Sequence, residues 1–195
     1  MSQLTIESFR PQSDEIARLN NWIFETIQPY IKGRVLEMNS GQGDFSLYLV
    51  EEGITVQLNA SSDSNREYLQ ERFRDTSLVR GVHKISFLNP RMEVKYLPFQ
   101  GQFSTVLALN TIENNLIFDK SIIDKAKRFL RLGGHLIIIG QAENCFYPGS
   151  ELDLEVLKKY NQSSINRILN DCQILITRFF NWNELHFLAV GRKLE

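Results

Sequence analysis

Residues 34–46 read Arg-Val-Leu-Glu-Met-Asn-Ser-Gly-Gln-Gly-Asp-Phe-Ser, and this stretch decides the fold. Arg34–Met38 is a short apolar strand. It runs into Asn39-Ser40-Gly41-Gln42-Gly43, after which Phe45–Glu52 carries a helical pattern ended by Gly53. Glycine permits positive φ and lets a ligand come close to the backbone. A helix that begins straight after such a turn offers free N–H groups and the positive end of its dipole. The stretch therefore predicts a ligand-facing loop at the carboxyl end of a buried strand.

The same alternation continues on both sides. Upstream, Pro11 precedes Ser13 or Asp14 as a helix N-cap, and Ile16, Leu19, Trp22, Ile23 and Ile27 recur at helical spacing until Pro29. Downstream, Ile54–Leu58 reads as a strand, Asp63–Arg74 as a helix, and Val82–Leu88 as a polar strand. Thr105–Leu109 is a fully apolar strand, and Lys120–Leu130 is a helix with Gly133-Gly134 as its stop. Leu136–Ile139 is a fifth strand, and Leu152–Cys172 is helical with a break near Asn161–Ser164. Ile174–Phe179 and Leu185–Val190 are joined by Asn181-Trp182-Asn183, too short for a crossover helix, so they pair antiparallel. Strands alternating with helices of this length predict βαβ units and a parallel sheet. The expected fold is α/β: a doubly wound, mostly parallel seven-stranded sheet with an antiparallel C-terminal strand and helices on both faces. Ligands in such sheets bind beyond the carboxyl ends of the strands, where the strand order reverses.

Composition narrows the function classes. Twenty-two Lys and Arg against 23 Asp and Glu leave a net charge of −1, which speaks against a nucleic-acid-binding domain. The opening residues lack the apolar core of a signal peptide, and the apolar run Leu136–Ile139 is far too short to span a bilayer. Cys145 and Cys172 read as structural thiols in a reducing compartment, so the expected location is the cytoplasm. His83, His135 and His186 form no metal-binding spacing, and no metal is expected.

Five segments, taken together and in order, resemble the class I S-adenosylmethionine-dependent methyltransferases over about residues 20–190. RVLEMNSGQGDFSLYLVEEG (34–53) is similar to their glycine-rich motif, and Ile54–Ser61 to their second strand and its end. LPFQGQFSTVLALNTIEN (97–114) is similar to their fourth-strand region, LRLGGHLIIIG (130–140) to the turn before the fifth strand, and LHFLAVGRK (185–193) to the closing strand. The resemblance implies one methyltransferase-like domain over 1–195, with 1–31 as an N-terminal helical segment packed on it. It implies S-adenosylmethionine as cofactor and Glu37, Asn39, Gly41, Gly43, Asn59, Ser86 and Asn110 as the residues around it. FRPQSDEIARLNNWIFETIQPYIKGRVLE (9–37), together with Tyr147-Pro148-Gly149, Leu152-Asp153 and Lys158-Lys159-Tyr160, resembles bacterial members linked to cell-surface glycan or lipid modification. The implied acceptor is a small molecule or a glycan or lipid precursor.

Several positions depart from the family pattern. Asn39 replaces the first glycine of the motif, and Asn is the residue that best tolerates positive φ after glycine. Asn59 replaces the acid after the second strand. Ser86 stands at the third-strand acid if Val82–Leu88 is the strand; anchoring on Leu97-Pro98-Phe99 puts Glu93 there instead. Ser104 replaces an Asp before the fourth strand, and Asn114 replaces a common His, while Asn110 and Glu113 match. Asn39, Asn59, Ser86 and Ser104, read as lying together at the ligand end, support an alternative: an inactive methyltransferase-fold protein with weakened cofactor binding that serves a protein partner. On that reading, restoring Asn39→Gly and Asn59→Asp tightens cofactor binding. A nicotinamide dinucleotide site lacks its third glycine, because Ser46 stands there.

Methyl transfer needs alignment more than a covalent nucleophile. Glu113 is the candidate base for an acceptor that carries a proton. His135 and His83 read as lying away from the site and His186 as structural. Trp22, Ile23 and Ile27 dock the N-terminal helix, with a lid over the ligand as the functional alternative. Arg66, Arg72, Arg74 and Arg80, mixed with Glu67, Glu71 and Asp75, read as a solvated helix face.

Overall fold

The computed structural model describes residues 14–109, 116–142, 160–182 and 184–194. Its strands are β1 (Val35–Glu37), β2 (Val56–Asn59), β3 (Val79–His83), β4 (Phe103–Leu109), β5 (Leu130–Gln141), β6 (Cys172–Trp182) and β7 (Glu184–Lys193). Its helices are α1 (Asp14–Ile27), α2 (Asp44–Glu51), α3 (Asp63–Arg72), α4 (Met92–Lys95), α5 (Leu116–Phe129) and α6 (Gln162–Ile168). The strands form one seven-stranded sheet in the order β3-β2-β1-β4-β5-β7-β6. The first five are parallel, and β7 runs antiparallel to both β5 and β6. β3 and β6 are the outer strands.

The central strands are apolar because both faces of the sheet are covered. Alternate residues of β4 and β5 enter two different cores. Val106, Ala108, Leu136 and Ile138 pack with Ile123, Ala126 and Phe129 of α5 and with Ile165 of α6. Leu107, Leu109, Ile137 and Ile139 pack with α1–α3 through Ile27, Leu49 and Leu69. Each fully buried Val, Leu, Ile or Phe side chain among them contributes about 1.5–3 kcal/mol. Local signals set the helix starts. The Ser62 hydroxyl accepts from the Asn65 amide at 3.0 Å, capping α3. Asn161 and Ser164 form a reciprocal capping box that opens α6.

The seven-stranded, mostly parallel architecture is the expected one; several boundaries are not. β3 ends at His83, so Ser86 lies beyond the strand, exposed, in a turn closed by the Asn89 amide donating to the Ser86 carbonyl at 3.0 Å. His83 therefore finishes β3, level with Asn59, rather than opening the strand. α5 ends at Phe129 and β5 starts at once, so Gly133-Gly134 lies inside the strand rather than stopping the helix. Asn161–Ser164 opens α6, which ends at Ile168, so Cys172 belongs to β6 and not to the helix; residues 152–159 of the expected helix lie outside the described residues. Ser104 is the second residue of β4, where its amide donates to the Arg34 carbonyl at 2.9 Å. It thus sits at the amino end of the sheet, not with Asn39 and Asn59.

Among the described residues, no helix is long and apolar enough to cross a membrane.

Candidate functional site

The strand order reverses between β1 and β4, and a cavity of about 230 Å³ opens above that point. Glu37 from β1, Leu109 from β4 and Ile139 from β5 contribute from the sheet. The loop Asn39–Gln42 and Asp44 form one wall. Leu19 and Ile23 of α1 cover it, and Phe180 and His186 close the far side.

The loop takes its shape from three left-handed positions at alternate residues. Asn39 has φ 52°, the one positive φ outside glycine among the described residues, followed by Gly41 at 55° and Gly43 at 84°. Asn39 thus does keep the turn that a glycine would make, as its residue type predicts. Gly43 is doubly constrained, because a Cβ there would fall 2.6 Å from Cε2 of Phe73. Ser40 stitches the loop to β2. Its amide donates to the Asn59 carbonyl at 2.9 Å, and its hydroxyl accepts from the Asn59 amide at 3.2 Å.

α3 holds the loop from beneath. Asn65 Nδ2 donates to the Gly41 carbonyl at 2.6 Å. The Arg72 guanidinium donates to the Gln42 carbonyl and pairs with Asp44 at 2.8 Å, its side chain only 2% exposed. Arg72 is therefore a buried strut and not part of a solvated basic face. Nothing in its local sequence distinguishes it from Arg66 or Arg74; its partners lie about thirty residues away.

Glu37 is buried and receives the Ser46 hydroxyl. Burial pushes its carboxyl up from the ordinary 4.5 to about 7, against the opposing pull of the Ser46 and Ser40 hydroxyls. The floor of the cavity thus holds a carboxyl poised to ionise when a cation arrives.

Asn59 is buried just beyond the cavity's lining. Its Nδ2 donates to the Ile85 carbonyl at 3.2 Å, and its Oδ1 accepts from the Ile85 amide at 2.6 Å. The side chain clasps the backbone N–H and C=O of one residue and fixes the segment that follows β3.

His186, expected to be structural, lines the cavity. It lies on β7, opposite Gln141 of β5, with its ring stacked on Phe180 at 5.5 Å between centroids. Trp22 of α1 meets the same Phe180 at 4.6 Å. α1 therefore reaches the cavity as well as the core. The other two histidines lie elsewhere. His135 Nδ1 is 2.6 Å from the Tyr30 carbonyl at the amino end of β5. His83 turns back to Gln57, with 2.9 Å between Nε2 and Oε1, and burial lowers its affinity for a proton. Asn110, Glu113, Asn114, Cys145 and Tyr147 lie outside the described residues. Among the described residues, no cluster of His, Cys, Asp and Glu could hold a metal ion.

Comparison with solved structures matches this arrangement. An N-methyltransferase, NodS from Bradyrhizobium japonicum WM9, superposes with a TM-score of 0.69 at 12% identity, covering 94% of this chain and 99% of that one. The fold is that of the class I S-adenosylmethionine-dependent methyltransferases. A methyltransferase from Methanosarcina mazei gives a TM-score of 0.66 at 14% identity, covering 87% of this chain and 97% of that one. The [4+2]-cyclase SpnF gives 0.66 at 14%, covering 91% and 80%. No family model and no curated protein matches the sequence. The methyltransferase fold thus accommodates more than one chemistry, and function has to be argued from the site.

Proposed function

We propose that the chain is an S-adenosylmethionine-dependent methyltransferase acting on a small molecule or on a glycan or lipid precursor. One observation carries the reading: the cavity at the strand-order reversal is walled by the left-handed loop Asn39–Gln42 and floored by the buried carboxyl of Glu37. NodS, on the same fold, has also been solved with S-adenosyl-L-homocysteine bound. In this chain Glu37 and the loop backbone would receive the amino-acid end of the cofactor, whose ammonium would hold the Glu37 carboxyl ionised. The cofactor supplies a methyl group on a sulfonium. Leu19 and Ile23 exclude water from above, and Phe180 and His186 bound the side where an acceptor would enter. Glu113 and His186 are the groups to test as bases for an acceptor that carries a proton.

Calorimetry with S-adenosylmethionine and S-adenosylhomocysteine tests the reading. Binding of both, weakened by Glu37→Ala, is the expected result. Absence of heat at millimolar cofactor would overturn it.

A second reading is favoured by Asn59. Its amide spends both polar ends on Ile85, leaving less to offer the cofactor than the carboxylate the family resemblance implies at that position. On this reading the chain binds cofactor weakly or not at all and serves a protein partner. Micromolar cofactor affinity with turnover would refute it.

A further inference from the structure

A larger cavity, about 710 Å³, opens at the opposite end of the sheet. It lies among the segments that lead into β1 and β2 and the first residues of β3. Its two ionisable groups are both cationic: Arg34, just before β1, and Arg80, in β3. They stand on either side of β2, which lies between β1 and β3 in the sheet. No acidic residue lines the cavity.

The arginines are not consumed by the fold. Arg34 is exposed; its guanidinium lies over the Phe103 ring at 5.3 Å and makes one long hydrogen bond of 3.5 Å to Gln102. Arg80 is exposed, and its guanidinium makes no hydrogen bond or ion pair among the described residues. Two guanidiniums in one concavity without a counter-charge repel each other, and a bound anion relieves that repulsion. Thr55 and Gln57 add polar groups, while Ile31 and Ile54 add apolar surface. The cavity volume falls within the about 300–1,000 Å³ typical of small-molecule sites.

We propose that this groove is a second ligand site that takes a phosphate ester, its phosphate held between Arg34 and Arg80 and its body against Ile31 and Ile54. Guanidinium forks match phosphate oxygens two at a time, which a lysine cannot reproduce. The site lies across the sheet from the Glu37 cavity, so its occupant is distinct from the cofactor proposed there.

Calorimetry on the full chain, with inorganic phosphate, adenosine monophosphate and uncharged adenosine as probes, tests the proposal. Both phosphates are expected to bind, the ester more tightly, and adenosine not at all. Saturating S-adenosylhomocysteine leaves this binding unchanged. Arg80→Ala and Arg34→Ala each weaken it about tenfold or more, in keeping with loss of a charged hydrogen bond, and Arg80→Lys recovers only part. Both arginines are exposed, so circular dichroism and the melting temperature should match the wild type and exclude unfolding as the cause. No binding at millimolar phosphate or adenosine monophosphate, binding insensitive to both alanine substitutions, or binding abolished by S-adenosylhomocysteine would each overturn the proposal.

Discussion

Asn59 and Glu37 are neighbours across the loop but have opposite relations to solvent chemistry. Asn59 is fully engaged, so its replacement reads first as a stability change. Asn59→Ala leaves a buried Ile85 amide without its acceptor, a loss of about 1–3 kcal/mol. Asn59→Asp keeps that acceptor but turns a carboxylate onto the Ile85 carbonyl, so it too lowers the urea midpoint at neutral pH. Equal midpoints for all three proteins would show that the clasp holds nothing in place. The simple expectation that an acid here restores tight cofactor binding therefore meets a structural cost. Glu37 has the reverse character: the fold holds its proton too tightly. Its folded-state pKa, about 7, lies above the ordinary 4.5. The folded chain thus binds more protons than the unfolded one between those values, and stability falls as pH rises through that window. The shift corresponds to roughly 3 kcal/mol lost by pH 8 relative to pH 4. Glu37→Gln keeps an acceptor for Ser46 and removes this slope. Denaturant midpoints measured from pH 4 to pH 8 should decline for the wild type relative to Glu37→Gln.

The glycine loop and the helix behind it separate two kinds of glycine. Gly43 begins α2 in a left-handed conformation and abuts Phe73, so Gly43→Ala adds a clash to the about 1–2 kcal/mol of left-handed strain. Gly41 has the same strain and open space beyond it. Thermal melts should rank wild type above Gly41→Ala and Gly41→Ala above Gly43→Ala; the reverse order would mean that Phe73 yields freely. Some elements could be read directly from the sequence. β4 is buried along its whole length, so its apolar run announces it. The left-handed turn at Asn39 follows from residue type. β3 could not be placed well, because it is an outer strand made of Val-Arg-Gly-Val-His, half-buried and without alternation. Gly133-Gly134 resembles a helix stop, yet tertiary pairing of β5 with β4 and β7 draws it into a strand. Arg72 and His186 gain their roles from partners distant in sequence, which periodicity cannot register.

At the scale of the whole molecule, the sheet holds two cavities at opposite ends, and β1 serves both. Glu37 finishes the strand at one cavity, and Arg34 leads into it at the other. A net charge of −1 conceals that the ionisable groups of one cavity include the carboxyls of Glu37 and Asp44, while those of the other are the guanidiniums of Arg34 and Arg80. Among the described residues, one margin of the sheet is unguarded. There β6, eleven residues long, pairs with β7 alone and carries one charged side chain, Arg178. Leu175 and Phe179 are 37% and 45% exposed along it. Long apolar edges with few charges recruit other chains. Heated samples should therefore turn cloudy before they finish unfolding, and their apparent melting temperature should shift with scan rate. Leu175→Lys or Phe179→Lys should keep the solution clear to higher concentration, as light scattering would report. Such a variant would make the thermal comparisons above reversible, and it would be the better starting material for every titration described here.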